Sequence, residues 1–489
     1  MSTTAATGFC RVTVVAPDSR IDVALPVDIA VADIYPEILR LTGQTQAVGA
    51  PSGYHLVRRD GRVLDSGRTL ADERVLDGEV LSLRPFAESL PPAVYDDISD
   101  AVASAVERDR HLWSEGMLRA AGLTGGALLV LLSALVLWYA DPVRHDMHGL
   151  PGIIAAGLGV LLTAFAGIRA RVYGDRPAAA ALGLGALPLL MLAGSGLVGP
   201  TAGQGPGRLQ FMLGCVAVLI ASVVLVVVAP GGDAPFVAAS FLATAGTLAA
   251  FAAILSDASA TATASVCAPA AIGLVAFLPG LSARFARLPI GYAPPRSGGG
   301  DDFEADPTRG VDAEPLDVER IAAQARRGHE MLLGLVGGTA AVVVGAAAVL
   351  GFSSDVWGQL LALATGLAML MRARLFRYTS QVCCVMVAGI AAIALLLLGL
   401  ALNPPSSALT DFLLHHDRGA LDLRTVWLTA AVAAGAALLT AIGLIVPRKG
   451  LSPFWGRFLD LAEGAVLLTL VPLCLAVVGV LADVRSMVG

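Results

Sequence analysis

The chain has 489 residues, 56% of them hydrophobic and only 15% charged, with a mean hydropathy of +0.74. A wholly water-soluble globular protein carries about a quarter charged residues, so this balance excludes that class. The net charge of −6 lies in residues 1–119, which hold 18 acidic and 12 basic residues against 21 and 21 in the remainder, and an acidic head of this kind excludes nucleic acid as a partner.

In chain order, residues 11–16 and 20–25 are two β-prone runs separated by the turn signal Pro17-Asp18-Ser19, and they predict a hairpin. Residues 30–41 set Val31, Ile34, Ile38 and Leu41 at helical spacing before the stop at Gly43. Strands are expected at 54–58, 62–64 and 80–84, entered through the turns Asp60-Gly61 and Asp77-Gly78. Strand, strand, helix, strands is the order of a β-grasp. The wording Arg62-Val63-Leu64-Asp65-Ser66-Gly67-Arg68-Thr69-Leu70 and Val75-Leu76-Asp77-Gly78-Glu79 resembles ubiquitin-like domains. There is no terminal Gly-Gly, so docking is expected of this head, not conjugation. Cys10, inside it, is expected to stay reduced.

The connector Pro91-Pro92-Ala93-Val94-Tyr95-Asp96-Asp97-Ile98-Ser99-Asp100-Ala101-Val102 gathers Val94, Ile98, Ala101 and Val102 on one helical face, with the aspartates elsewhere on the wheel. It either binds a partner or packs on its own head. Eleven apolar stretches follow, at 120–140, 153–168, 177–198, 209–229, 235–255, 258–280, 331–351, 356–371, 379–402, 425–446 and 465–481, none with an Asp, Glu, Lys, Arg or His. Most reach the ~20 residues that a hydrocarbon core of ~30 Å asks of a helix. Strands lack the required alternation, and open sheet edges cannot face lipid. The fold class is therefore an α-helical polytopic membrane protein of about 11 transmembrane helices with an N-terminal ubiquitin-like β-grasp domain. The first sufficiently long apolar run is the first span itself, so no cleavable leader is expected.

With the N-terminus inside, the inner segments between spans hold sixteen Arg and Lys residues and the outer segments five, Arg144, Arg208, Arg418, Arg424 and Arg485. This bias predicts a cytoplasmic head and an outer C-terminus, with Trp138, Trp357 and Trp427 at the outer membrane surface. The long inner loop, 281–330, begins rich in Pro and Gly and ends in a predicted helix carrying Arg320, Arg326 and Arg327. Those arginines either contact acidic partners or lipid headgroups, or serve only to set topology.

Chemistry-bearing constellations are sparse. Five of the six cysteines fall within spans, His145, His148 and the His415-His416 pair lack the ligand spacing of a metal site, and no Gly-rich stretch continues into the Lys-Ser/Thr of a phosphate-binding loop. Neither cofactor nor metal is expected, and the chain is not expected to be an enzyme. Gly337, Ala341 and Gly345 recur every four residues, a pattern that admits a close neighbouring helix, either within the bundle or in another subunit. The rival reading is a secondary transporter with a regulatory ubiquitin-like head. Such machines usually place ionisable residues within their spans. Pro188, Pro269, Pro279 and Pro472 are the residues able to break helices here.

The ubiquitin-like head, the Pro-Pro-x-Val-Tyr-Asp-Asp-Ile-x-Asp-Ala-Val connector and eleven helices split by one basic loop together resemble the EccD family of actinobacterial type VII (ESX) secretion systems, over essentially the whole chain. The loop wording at 282–289 and 318–334 is similar too. The resemblance implies a structural subunit that pairs with a second copy around a lipid-filled vestibule and assembles with EccB-, EccC- and EccE-type subunits. EccC would be the FtsK-like ATPase that drives export of WXG-type proteins and meets the head. The expected layout is a head at 1–86, a connector at 87–119, six spans over 120–280, a loop at 281–330 and five spans with an outer C-terminus over 331–489. Partner or lipid contacts are expected at Tyr95, Asp96, Asp97, Arg320, Arg326 and Arg327.

Overall fold

The computed structural model describes residues 8–16, 19–43, 54–85, 98, 114–200, 205–229, 232–287, 318–449 and 452–480. The chain divides into two units, Met1–Trp113 and Ser114–Gly489.

In the first unit, β1 (Phe9–Val15) buries Cys10, Val12 and Val14 and exposes the alternate Phe9 and Arg11, the period of a strand with one face in a core. It pairs antiparallel with β2 (Arg20–Pro26), from Phe9 opposite Pro26 to Val15 opposite Arg20. Helix α1 (Val31–Thr42) turns Val31, Ile34 and Ile38 inward and stops at Gly43, whose left-handed φ of 69° suits a residue without Cβ. Strand β3 (Tyr54–Arg58) then pairs antiparallel with β4 (Val80–Pro85), and β4 lies parallel to β1. The order β2-β1-β4-β3 is that of a ubiquitin-like β-grasp. Leu56, Leu64, Leu70, Leu81 and Leu83 close the core with α1. The strand expected at 62–64 is reduced to a single bridge, Val57 to Val63. The Gly61 turn returns the chain at once, and the Leu64 N–H donates to the Leu56 carbonyl at 2.9 Å. Pro17 and Asp18 of the expected turn lie outside the described residues.

The second unit is helical: α2 (Glu115–Trp138), α3 (Leu150–Arg171), α4 (Arg176–Ser195), α5 (Arg208–Val228), α6 (Ala234–Ser256), α7 (Ala260–Val275), α8 (Leu278–Phe285), α9 (Val318–Gly351), α10 (Val356–Arg372), α11 (Thr379–Leu402), α12 (Ser406–His415), α13 (Gly419–Lys449) and α14 (Pro453–Val478). Among the described residues, ten helices are long and apolar enough to cross a membrane, and the count is eleven if the bent pair α7–α8 is taken as one span. The sixth span, expected as one run at 258–280, is broken by 67°. Pro279 has no N–H to donate to the carbonyl of Val275, four residues back, where α7 ends. Pro188, Pro269 and Pro472 sit inside continuous helices. The last helix starts twelve residues before the expected 465–481 and takes in Arg457, Asp460 and Glu463.

Helix α3 packs on α4, α4 on α5, α5 on α6 and α6 on α9, while α9 also meets α7, α10 and α11, and α14 lies on α10. Small residues bring these helices together. A Cβ added at Gly389 of α11 would stand 3.0 Å from the Gly366 carbonyl oxygen of α10. The larger core cluster joins Ala268, Ile272, Val343, Leu350, Leu361 and Val385 from four helices. Helix α13 stands apart: none of its apolar central window is buried, and among the described residues its main contacts are with α11 and α12.

Candidate functional site

Helices α2, α4, α6, α9, α11 and α14 begin, and α3, α5, α8, α10 and α13 end, at one end of the bundle, where the arginines gather. There the charges are paired. Asp175 caps α4, its carboxylate accepting from the Ala178 N–H at 3.2 Å, while Arg119 of α2 and Arg169 of α3 both bind it. Desolvation works against this charge, but the Ala178 N–H and the Arg169 and Arg119 guanidinium groups outweigh it and hold the carboxyl below the usual range. Arg171 donates from Nε and Nη2 to the carbonyls of Val228 and Val227 at 3.0 and 3.1 Å, tying α3 to the end of α5.

Asp233 precedes α6 with a fully buried carboxylate. Arg327 of α9 places Nη1 2.6 Å from it, a charge contact lying off the N–H axis. Three residues on, Glu330 accepts from the Gly232 N–H at 3.2 Å, so one turn of α9 grips the α6 N-terminus twice. His329 between them lies 4.3 Å, centroid to centroid, from Tyr378, with Gln381 of α11 at 3.4 Å from its Nδ1. Arg374 binds Asp460 at 2.9 Å and Glu463 at 2.7 Å, and Arg372 approaches Glu463 at 3.7 Å, which joins α10 to α14. A polar rim thus stitches the helices at the end where their apolar packing stops.

The sequence-predicted contacts divide. Arg320 and Arg326 are exposed on α9, and Arg327 is turned inward on Asp233. Tyr95, Asp96 and Asp97 lie outside the described residues. Of the four-residue stripe, Gly337 meets Ala238 at an ordinary 3.5 Å from an added Cβ, Ala341 lines an apolar cavity of about 550 Å³, and Gly345 has nothing within 4 Å. The close approach falls one row over. A Cβ at Gly334 would stand 2.7 Å from the Ala234 carbonyl oxygen, and one at Gly338 would stand 2.8 Å from that of Ala238.

Sequence reasoning gave the arginines external partners, headgroups or topology alone, and missed the carboxylates within the chain, Asp175, Asp233, Asp460 and Glu463, that several of them meet. For the first two a signal was present. Asp175-Arg176-Pro177 and Asp233-Ala234-Pro235 each set an aspartate before a proline in the first helical turn, a helix-start pattern.

At the other end, His145 stacks on Trp138 at 4.8 Å and bonds its carbonyl, and His148 bonds the Gly196 carbonyl at 2.9 Å. Among the described residues no three His, Cys, Asp or Glu side chains converge as a metal site, and all six cysteines are free. Cys10 is buried in the head, and burial, followed by Asp77 and Glu79, pushes its thiol pKa up.

Comparison with known proteins gives one answer for both units. The family described as the EccD-like transmembrane domain matches residues 118–487, and YukD of the WXG100 protein secretion system matches residues 9–83. The ESX-4 secretion system protein eccD4 of Mycobacterium tuberculosis, in strains CDC 1551 / Oshkosh and H37Rv, is 29% identical over 497 residues, covering 98% of each chain. Protomer 1 of the ESX-3 core complex has a similar fold, with a TM-score of 0.59 and 20% identity over 97% of this chain and 100% of that one. So does a chain of a MycP5-free ESX-5 inner membrane complex, with a TM-score of 0.53 and 22% identity over 88% and 99%.

Proposed function

The chain belongs to the EccD family, and from that premise we propose that it is a non-catalytic scaffold subunit of a type VII secretion complex in the inner membrane. The observation that carries this reading is the union in one chain of a YukD-like head and an EccD-like bundle, colinear over nearly its whole length with an ESX-4 subunit.

In this reading the arginine-bearing end faces the cytoplasm, in line with the sixteen-to-five distribution of basic residues. The head then lies in the cytoplasm and the C-terminus outside. The head docks an EccC-type ATPase, and EccB- and EccE-type subunits join the assembly. Exposed Arg320 and Arg326, with Tyr95, Asp96 and Asp97 of the connector, contact partners or headgroups on that side. A second copy pairs with the first around a lipid-filled vestibule. The apolar, uncovered α13 supports such a pairing, because a helix that holds so little of its own bundle is free to hold another. Exported substrates are WXG-type helical proteins, and the energy for export comes from the ATPase partner.

Deletion of the coding sequence tests this directly. The reading expects loss of WXG-type proteins from the culture medium, restored by the full chain and not by a chain lacking residues 1–86. Undiminished export after deletion contradicts it.

A further inference from the structure

Between α3 and α5, with Leu190 of α4 contributing, a trough of about 700 Å³ runs along the bundle surface. Val160, Ala164 and Gly167 form one wall and Ala217, Ala221 and Val224 the other, and Arg171 stands at the end. Val160 and Arg171 are eleven positions apart, as are Ala217 and Val228, so the trough is about 16 Å long at ~1.5 Å per residue. That is half of a ~30 Å hydrocarbon core, the depth of one leaflet. Its lining is apolar apart from Thr163 and the terminal Arg171, so it suits a hydrocarbon chain laid along it with an anionic group at the end.

The charge at its mouth is not spent on an ion pair within the chain. Arg119, Arg169, Arg327, Arg372 and Arg374 each meet a carboxylate, whereas Arg171 is held by two backbone carbonyls, and among the described residues no carboxylate pairs with it. Those two bonds use two of five guanidinium N–H groups and leave its positive charge exposed at the end of the apolar span.

We propose that the α3–α5 trough is a binding site for an anionic phospholipid, with one acyl chain lying along Ala164, Gly167 and Ala221 and its phosphate on Arg171. The site lies within one chain and is separate from any cavity between copies. The site is the same whichever side of the membrane Arg171 faces.

The test uses the full chain, purified in detergent, delipidated and offered dioleoyl phosphatidylglycerol, dioleoyl phosphatidylcholine or inorganic phosphate. Native mass spectrometry reads retained lipid, and thermal melting reads stability. Phosphatidylglycerol is expected to be retained and to raise the melting temperature, with phosphatidylcholine well behind. Arg171→Gln should lower retention about tenfold, the scale of one charge-assisted contact. Ala164→Phe fills the trough from an exposed position and keeps the arginine; it should abolish retention and leave lipid-free melting unchanged. Equal retention of the two lipids, undiminished retention by both variants, or the same stabilisation by inorganic phosphate alone would overturn the proposal.

Discussion

Arg326 and Arg327 are adjacent in sequence and opposite in role. Arg326 faces solvent, while Arg327 neutralises the fully buried Asp233. Removing one partner of a buried ion pair leaves the other charge stranded, so Arg327→Gln should cost about 3 kcal/mol, the lower bound for such pairs. Arg326→Glu should leave melting unchanged and act only on assembly. Thermal melting of the two purified variants separates these outcomes, and equal melting would remove the structural role given to Arg327. Asp175 carries a pH signature. Its folded pKa lies below the unfolded value, so its contribution is complete above about pH 4 and is lost as the pH falls below that. Melting temperature should therefore drop more steeply from pH 5 to pH 3 in the parent than in Asp175→Asn, which starts lower. Parallel pH curves for the two would contradict this. In the head, Cys10 combines burial with a raised thiol pKa and should resist a maleimide at neutral pH until the domain is unfolded. Rapid labelling of the folded protein would speak against the β1 placement.

At the scale of elements, the glycines of α9 give the sharpest contrast. Gly338→Leu drives a side chain into the Ala238 carbonyl and Phe241, and overpacking of this kind costs about 1–3 kcal/mol, whereas Gly345→Leu enters open space. The first should lower the melting temperature by several degrees and the second should not; the reverse order would favour the stripe read from sequence. That stripe was legible as small residues at fourfold spacing, but Gly334 and Gly338 have the same spacing one row away. Only the position of α6 chooses between the rows, and sequence does not carry it. Helix existence was legible because eleven charge-free runs have few other solutions in lipid. Helix ends were less so. Asp460 and Glu463, inside α14, look like loop residues until Arg372 at the end of α10 and Arg374 in the turn after it, about ninety positions earlier, are seen to pair with them. The break between α7 and α8 was foreshadowed by Pro279, yet Pro188, Pro269 and Pro472 carry the same local signal in unbroken helices.

For the molecule as a whole, the head and the bundle are two solutions to burial in two solvents. The head buries leucines from α1 and a mixed sheet and keeps charges outward. The bundle packs alanine and glycine against one another and confines its charges to helix ends, where a rim of ion pairs fastens neighbours. A machine built to move ions would spend polar groups nearer the middle of its spans. Here the ion pairs lie near the helix ends and hold neighbouring helices together, in keeping with the scaffold role proposed above. The most direct measurement is extraction of the tagged chain from native membranes in mild detergent, followed by mass spectrometry of the complex and its size. A large assembly containing an FtsK-like ATPase and at least two copies of this chain is the predicted result, and recovery of the chain alone or as a simple dimer would contradict the account.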